Sequence, residues 1–87
     1  MGFELFQKIP FEIISYNLAI NYKGNILAVS DNNKVKLYEV GENGLYEEKQ
    51  VLIFLSYVQS VGLSPNSQFL IVGEPGGSVT LLQRKEG

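Results

Sequence analysis

The sequence predicts an all-β chain built from two four-stranded antiparallel units. Three observations carry that expectation. Short apolar runs are separated by turn residues, no stretch spaces its apolar residues as a helix would, and one segment comes back: "NILAVSDNNKVKLYEV" at 25–40 returns as "QFLIVGEPGGSVTLLQ" at 68–83.

The recurrence has a consistent offset. Ile20 falls on Leu63 and Asn21 on Ser64 at a shift of 43, which also carries Leu27, Ala28 and Val29 onto Leu70, Ile71 and Val72. One residue then enters the second copy, so that Val35 meets Val79 and Leu37 meets Leu81 at a shift of 44. Upstream, Gly2 matches Gly44 and Ile9 matches Val51 at a shift of 42. Residues 2–43 and 44–87 are read as two copies of one unit, with each change of length in a turn, and 1–87 as a single two-unit domain.

Taken in chain order, the first element is "ELFQKI", Glu4 to Ile9, polar enough for a partly solvated outer strand. Three inner strands follow, Leu18 to Tyr22, Ile26 to Ser30 and Val35 to Val40. The dividers "KGN" and "DNNK" are hairpin chemistry, because Gly and Asn tolerate positive φ and Asp and Asn bond their own backbone. A second outer strand, "LYEEKQV", precedes a second inner triplet divided by "SPNSQ" and "EPGGS", where Pro65 and Pro75 cannot continue a ladder. The most apolar run, "VLIFLSYV" from Val51 to Val58, reads as buried strand. It falls well short of the roughly 18 residues a membrane helix needs. "ILAV" and "FLIV" are continuous apolar runs, so both of their faces should be covered by protein.

Composition narrows the function. A chain of 87 residues buries only about 60 to 65% of its unfolded surface, so its core is small. With 45% apolar and 18% charged residues it is globular, and a net charge of −2 with scattered Lys and Arg offers no footprint for nucleic acid. The chain has no Cys and no His, which removes thiol chemistry, imidazole bases and the usual zinc sites. "MGFELFQKIP" carries Glu4 and Lys8 within a short apolar context unlike a signal peptide, so the expected location is cytoplasmic, with no membrane partner.

The residues already quoted also resemble known repeats. "VQSVGLSPNSQFLIVGEPGGSVTLLQ" resembles the core of a WD repeat, an apolar strand, a Ser-Pro-Asp-Gly-like turn, a second apolar strand, an acidic turn and a third strand. "GNILAVSDNNKVKLYEV" is similar, with Tyr38 and Glu39 where that family has Trp and Asp; "VKLYEVGENGLYEEKQ" also resembles FG-GAP blades. The resemblance implies a β-propeller, with four-stranded blades packed face to face around a ring. It implies two blades in the strand order d-abc-d-abc. Two blades do not close a ring, so three or four copies of the chain, or a propeller-completing protein, are expected to finish it. The leading strand, Glu4 to Ile9, is then expected to pair with Ser78 to Arg84 of a neighbouring chain.

Departures from the family matter as much. The buried relay of WD repeats begins with a His this chain lacks; its Ser survives as Ser30 but becomes Gly73, and Trp becomes Leu82. Asp31 alone in "DNNK" and Glu74 alone in "EPGGS" cannot supply the six or more oxygens calcium takes, so no metal and no cofactor are expected. Glu47 and Glu48 are adjacent and point to opposite faces of a strand, which rules them out as an acid and base pair. "GEPGGS" lacks the Lys and the helix of a phosphate loop and reads as a hairpin turn. Ser60, Ser64 and Ser67 have no base to activate them. No catalytic residue is expected.

The function these features favour is a non-enzymatic interaction scaffold that binds a protein or peptide on its loop face. Candidate contact residues are Tyr16, Asn17, Asp31, Asn32, Tyr57, Gln59 and Glu74. The alternatives are a small oligomeric lectin, for which Tyr16 and Tyr57 would have to replace the missing Trp as stacking surfaces, and a propeller fragment with no function of its own.

Overall fold

Among the described residues every strand pairs with a neighbour in sequence, as closely spaced hairpin turns require. In the computed structural model, which describes residues 2–11 and 17–85, seven strands form two antiparallel sheets. The first sheet has four strands in the order β1 (Leu18–Ile20), β2 (Ile26–Asp31), β3 (Lys34–Val40) and β4 (Tyr46–Ile53). The second has three, β5 (Ser60–Leu63), β6 (Phe69–Gly73) and β7 (Val79–Gln83). The described residues contain no helix, so the all-β expectation and the inner triplets hold.

The first hairpin of each sheet is closed by the same bonds. Asn21 N–H donates to Ile26 O at 3.1 Å, Gly24 N–H to Asn21 O at 3.0 Å, and Ile26 N–H to Asn21 Oδ1 at 2.8 Å. At a shift of 43, Ser64 N–H donates to Phe69 O at 3.0 Å, Ser67 N–H to Ser64 O at 2.9 Å, and Phe69 N–H to Ser64 Oγ at 2.9 Å. Asn and Ser do the same work here because each carries a side-chain oxygen that reaches back along the turn. Gly24 and Ser67, the matching tip residues, both have positive φ, 76° and 63°. Asn32 is the other non-glycine residue in that region, at 60°, in the "DNNK" turn.

Two elements differ from the sequence reading. "VLIFLSYV" is not one buried strand: β4 ends at Ile53, and 54–59 crosses between the sheets with Leu55 fully exposed. The crossing is held by the "DNNK" turn. Phe54 N–H donates to Asn33 O at 2.8 Å, Asn33 Nδ2 to Phe54 O at 3.1 Å, and Val58 N–H to Asn32 O at 2.7 Å. Those bonds divert the backbone away from the ladder. The outer strand expected over Glu4 to Ile9 is likewise not a strand within one chain, and the second sheet has three strands, its fourth having been expected from a neighbouring chain. A strand exists only against a partner ladder, and within one chain this segment bonds to the edge of β4 through a side chain. Gln7 Nε2 donates to Tyr46 O at 3.1 Å, and Tyr46 N–H donates to Gln7 Oε1 at 2.9 Å, so the amide stands in for a paired backbone.

The sheets pack face to face. Ala28 and Val35 from the first meet Leu70 and Val72 from the second, with Val58 of the crossing segment completing the buried cluster. Because side chains alternate across a strand, Leu18, Ile20, Lys36, Tyr38 and Val51 lie on the opposite face of the first sheet. Phe11 packs edge-on against Tyr38 there, with ring centroids 6.3 Å apart, and Lys36 Nζ sits 5.4 Å from the Phe11 ring centre.

Tyr38 gives this face a pH dependence. Burial foremost, and Glu48 second, raise its phenol above the ordinary value of 10.0. A proton held more tightly in the folded chain stabilises the fold below pH 10, and that stabilisation is lost as pH rises toward and through the folded pKa. Thermal melts should therefore show a drop in stability above about pH 10 that Tyr38→Phe reduces. Equal drops in the two proteins would remove Tyr38 as the cause.

Candidate functional site

Polar residues tie the sheets together at both ends. At the hairpin end, buried Asn21 donates through Nδ2 to Asn25 Oδ1 at 2.6 Å and to Ser67 Oγ at 2.7 Å, joining the two equivalent turns. At the other end Asn17 Nδ2 donates to Gln59 O at 2.6 Å. Here the buried Ser30 hydroxyl accepts from Asn17 N–H at 2.8 Å, while Ser30 N–H donates to Asn17 O at 2.9 Å. Ser30 thus has its partners without a His. In the second unit the hydroxyl has changed strands: Ser60 lies opposite Gly73, and a Cβ on Gly73 would overlap Ser60 Oγ.

Most of the loop-face candidates gather at this second end. Asn17 and Gln59 share a bond, Gln59 N–H donates to Gly73 O at 2.8 Å beside Glu74, and Asn32 holds Val58 next to Tyr57. Tyr16 lies outside the described residues. Several of the others are already engaged in holding the fold. Asn32 gives its carbonyl to Val58, and Glu74 N–H donates to Ser78 O at 3.0 Å. Asp31 Oδ2 is 3.5 Å from Lys36 Nζ, and its buried Oδ1 has no hydrogen-bond partner. Tyr57 and the Gln59 side chain face solvent. Among the described residues no three of Asp and Glu gather as metal ligands, and no helix is long and apolar enough to cross a membrane.

The larger feature is apolar and lies on the outward sheet faces. On the second sheet, register places Phe69, Ile71, Val79 and Leu81 on the face turned away from the core, with Val79 and Leu81 exposed by 63% and 61%. On the first sheet Leu18, Ile20, Val51 and Ile53 do the same. The edge of β7 away from β6 pairs with no strand among the described residues. No family model, curated protein or solved structure matches the chain. Function must therefore be argued from these surfaces.

The sequence reading passed over the residues that matter most here. "FLIV" suggested a strand covered on both faces, yet only Leu70 and Val72 are buried, while Phe69 and Ile71 open outward. Asn21 was visible only as the repeat position aligned with Ser64, and Ser67 only as a serine with no base to activate it. A polar residue recurring in the same turn of both copies was the signal.

Proposed function

We propose that the chain is a non-enzymatic interaction module of the β-propeller type, two blades that are completed by further copies of itself. The observation that carries this is the exposed apolar surface on the outward sides of both sheets: Phe69, Ile71, Val79 and Leu81 on the second, and on the first Leu18, Ile20, Val51 and Ile53, which flank the already buried Val29 and Tyr38. A contiguous apolar face of this kind on a small protein marks a contact surface. The faces belong to different sheets, so one copy's second sheet can cover the next copy's first sheet. Such a head-to-tail contact between unlike surfaces closes into a ring when the rotation allows it. The matching hairpin bonds of the two sheets, and the inter-sheet ties at both ends, support the comparison with adjacent blades. In a ring of three or four chains the ends carrying Asn17, Tyr57, Gln59 and Glu74 would form one loop face, suited to a protein or peptide ligand.

Native mass spectrometry at micromolar concentration tests the assembly. Three or four chains per particle are expected. A monomer at every concentration, with Leu81→Lys no more soluble than the parent, would overturn it.

A further inference from the structure

We infer that the leading segment, residues 4–9, of a second copy adds to the free edge of β7 as its fourth strand, in a register the first sheet already displays. The inference rests on the self-assembly proposed above. Its physical basis is a cleft between the sheets, walled on one side by Ile26, Leu37 and Leu52 and on the other by Leu63, Leu70 and Leu82. The first sheet has β4 along this cleft; the second has nothing beyond β7 among the described residues.

The β3–β4 register can be carried to β7 at the repeat shifts of 44 and 42. In the first sheet Val40 faces Tyr46, Glu39 faces Glu47, Tyr38 faces Glu48, Leu37 faces Gln50 and Lys36 faces Val51, with a bulge at Lys49. The corresponding pairs are Arg84 with Glu4, Gln83 with Leu5, Leu82 with Phe6, Leu81 with Lys8 and Thr80 with Ile9, with Gln7 at the bulge. Leu82 and Thr80 point toward the core side of their sheet, so Phe6 and Ile9 enter the cleft from the same face, against its apolar wall, while Glu39, Lys49 and Gln50 make its lining mixed. Arg84 meets Glu4 as an opposite-charge cross-strand pair. Arg84 already binds Glu39 through Nη2 at 2.6 Å, and a guanidinium has donors enough for both carboxylates.

A second copy is the occupant because the chain's own segment lies elsewhere. Gln7 is bonded to the β4 edge, and Phe11 is packed on the outward face of the first sheet, across that sheet from the cleft. Phe3, Leu5 and Phe6 stand exposed at 104%, 83% and 67%, while Lys8 and Glu4 are solvated. Exchange gives up the two Gln7 to Tyr46 bonds and gains a strand ladder and two buried apolar side chains.

The chain has no Cys, so engineered thiols report pairing without background. Glu4→Cys on one copy and Arg84→Cys on another probe the pair equivalent to Tyr46 and Val40. Tyr46 turns its N–H and C=O outward to Gln7, so that pair does not exchange bonds and brings its Cα atoms to about 4.5 Å, within disulfide range. On mixing and mild oxidation, a disulfide between positions 4 and 84 of different chains is expected. Glu4→Cys with Gln83→Cys, which points to the other face, should give at least tenfold less. An oligomer without the 4 to 84 bond would overturn strand exchange and leave assembly by stacked faces. A monomer without it would overturn both, and equal linkage of 83 and 84 would overturn the register.

Discussion

Leu70→Ala or Val72→Ala is expected to cost about 2 to 4 kcal/mol, the loss of buried methyl groups plus the cavity they leave. Val72 is completely buried and Leu70 is 7% exposed, and both face Ala28 and Val35 across the sheets. Few residues share that core, so little else can move in to fill the space. Small domains hold only about 5 to 15 kcal/mol in all, and a chain of this size lies toward the lower end, so the substitution should remove a large share of the total stability. Glu47→Ala provides the contrast. Glu47 sits exposed on β4, 3.2 Å from an equally exposed Lys49, and its loss should change stability by less than about 0.5 kcal/mol. Urea midpoints with unchanged slopes measure both. Equal shifts would mean that the packed faces are wrongly assigned.

Asn21→Ala should cost about 1 to 3 kcal/mol, the range for leaving a buried donor unpaired. Asn21 is 4% exposed and its Oδ1 is the side-chain acceptor for Ile26 N–H, while Nδ2 reaches Ser67 of the other sheet. Two contributions are therefore mixed in one side chain, one local to the hairpin and one between sheets. Ser67→Ala removes the second alone and should be the milder change. If the two substitutions cost the same, the tie between sheets would account for the whole effect and the hairpin bond for none of it.

Strand positions were readable because they depend on local chemistry. β2 and β3 begin and end within a residue of the apolar runs bounded by "KGN" and "DNNK", since turn residues act on their immediate neighbours. The path of 54–59 was not readable. Apolarity alone argued for strand, and what decides otherwise is Asn32 and Asn33, more than twenty residues upstream. The leading segment is not a strand within one chain for a related reason: its composition suits a strand, but pairing is a property of two segments. Of the loop-face candidates, Asn17, Gln59 and Glu74 lie toward one end of the two sheets. The exposed side of β6 was not readable, because a continuous apolar run carries no mark of which face meets the core.

The pairing of each strand with its immediate neighbour sets how the chain can come together over time. Each ladder closes a short loop, and short loops close with little entropic cost and quickly. The first sheet needs nothing beyond Ile53 to complete its own ladders, although its core face is covered only once Val58, Leu70 and Val72 are in place. Seating the second sheet is a long-range step. There the "DNNK" turn acts as a jig: Asn32 and Asn33 catch the backbone of Phe54 and Val58 as it emerges, fixing where Ser60 will start. Synthesis order and assembly order thus run in the same direction.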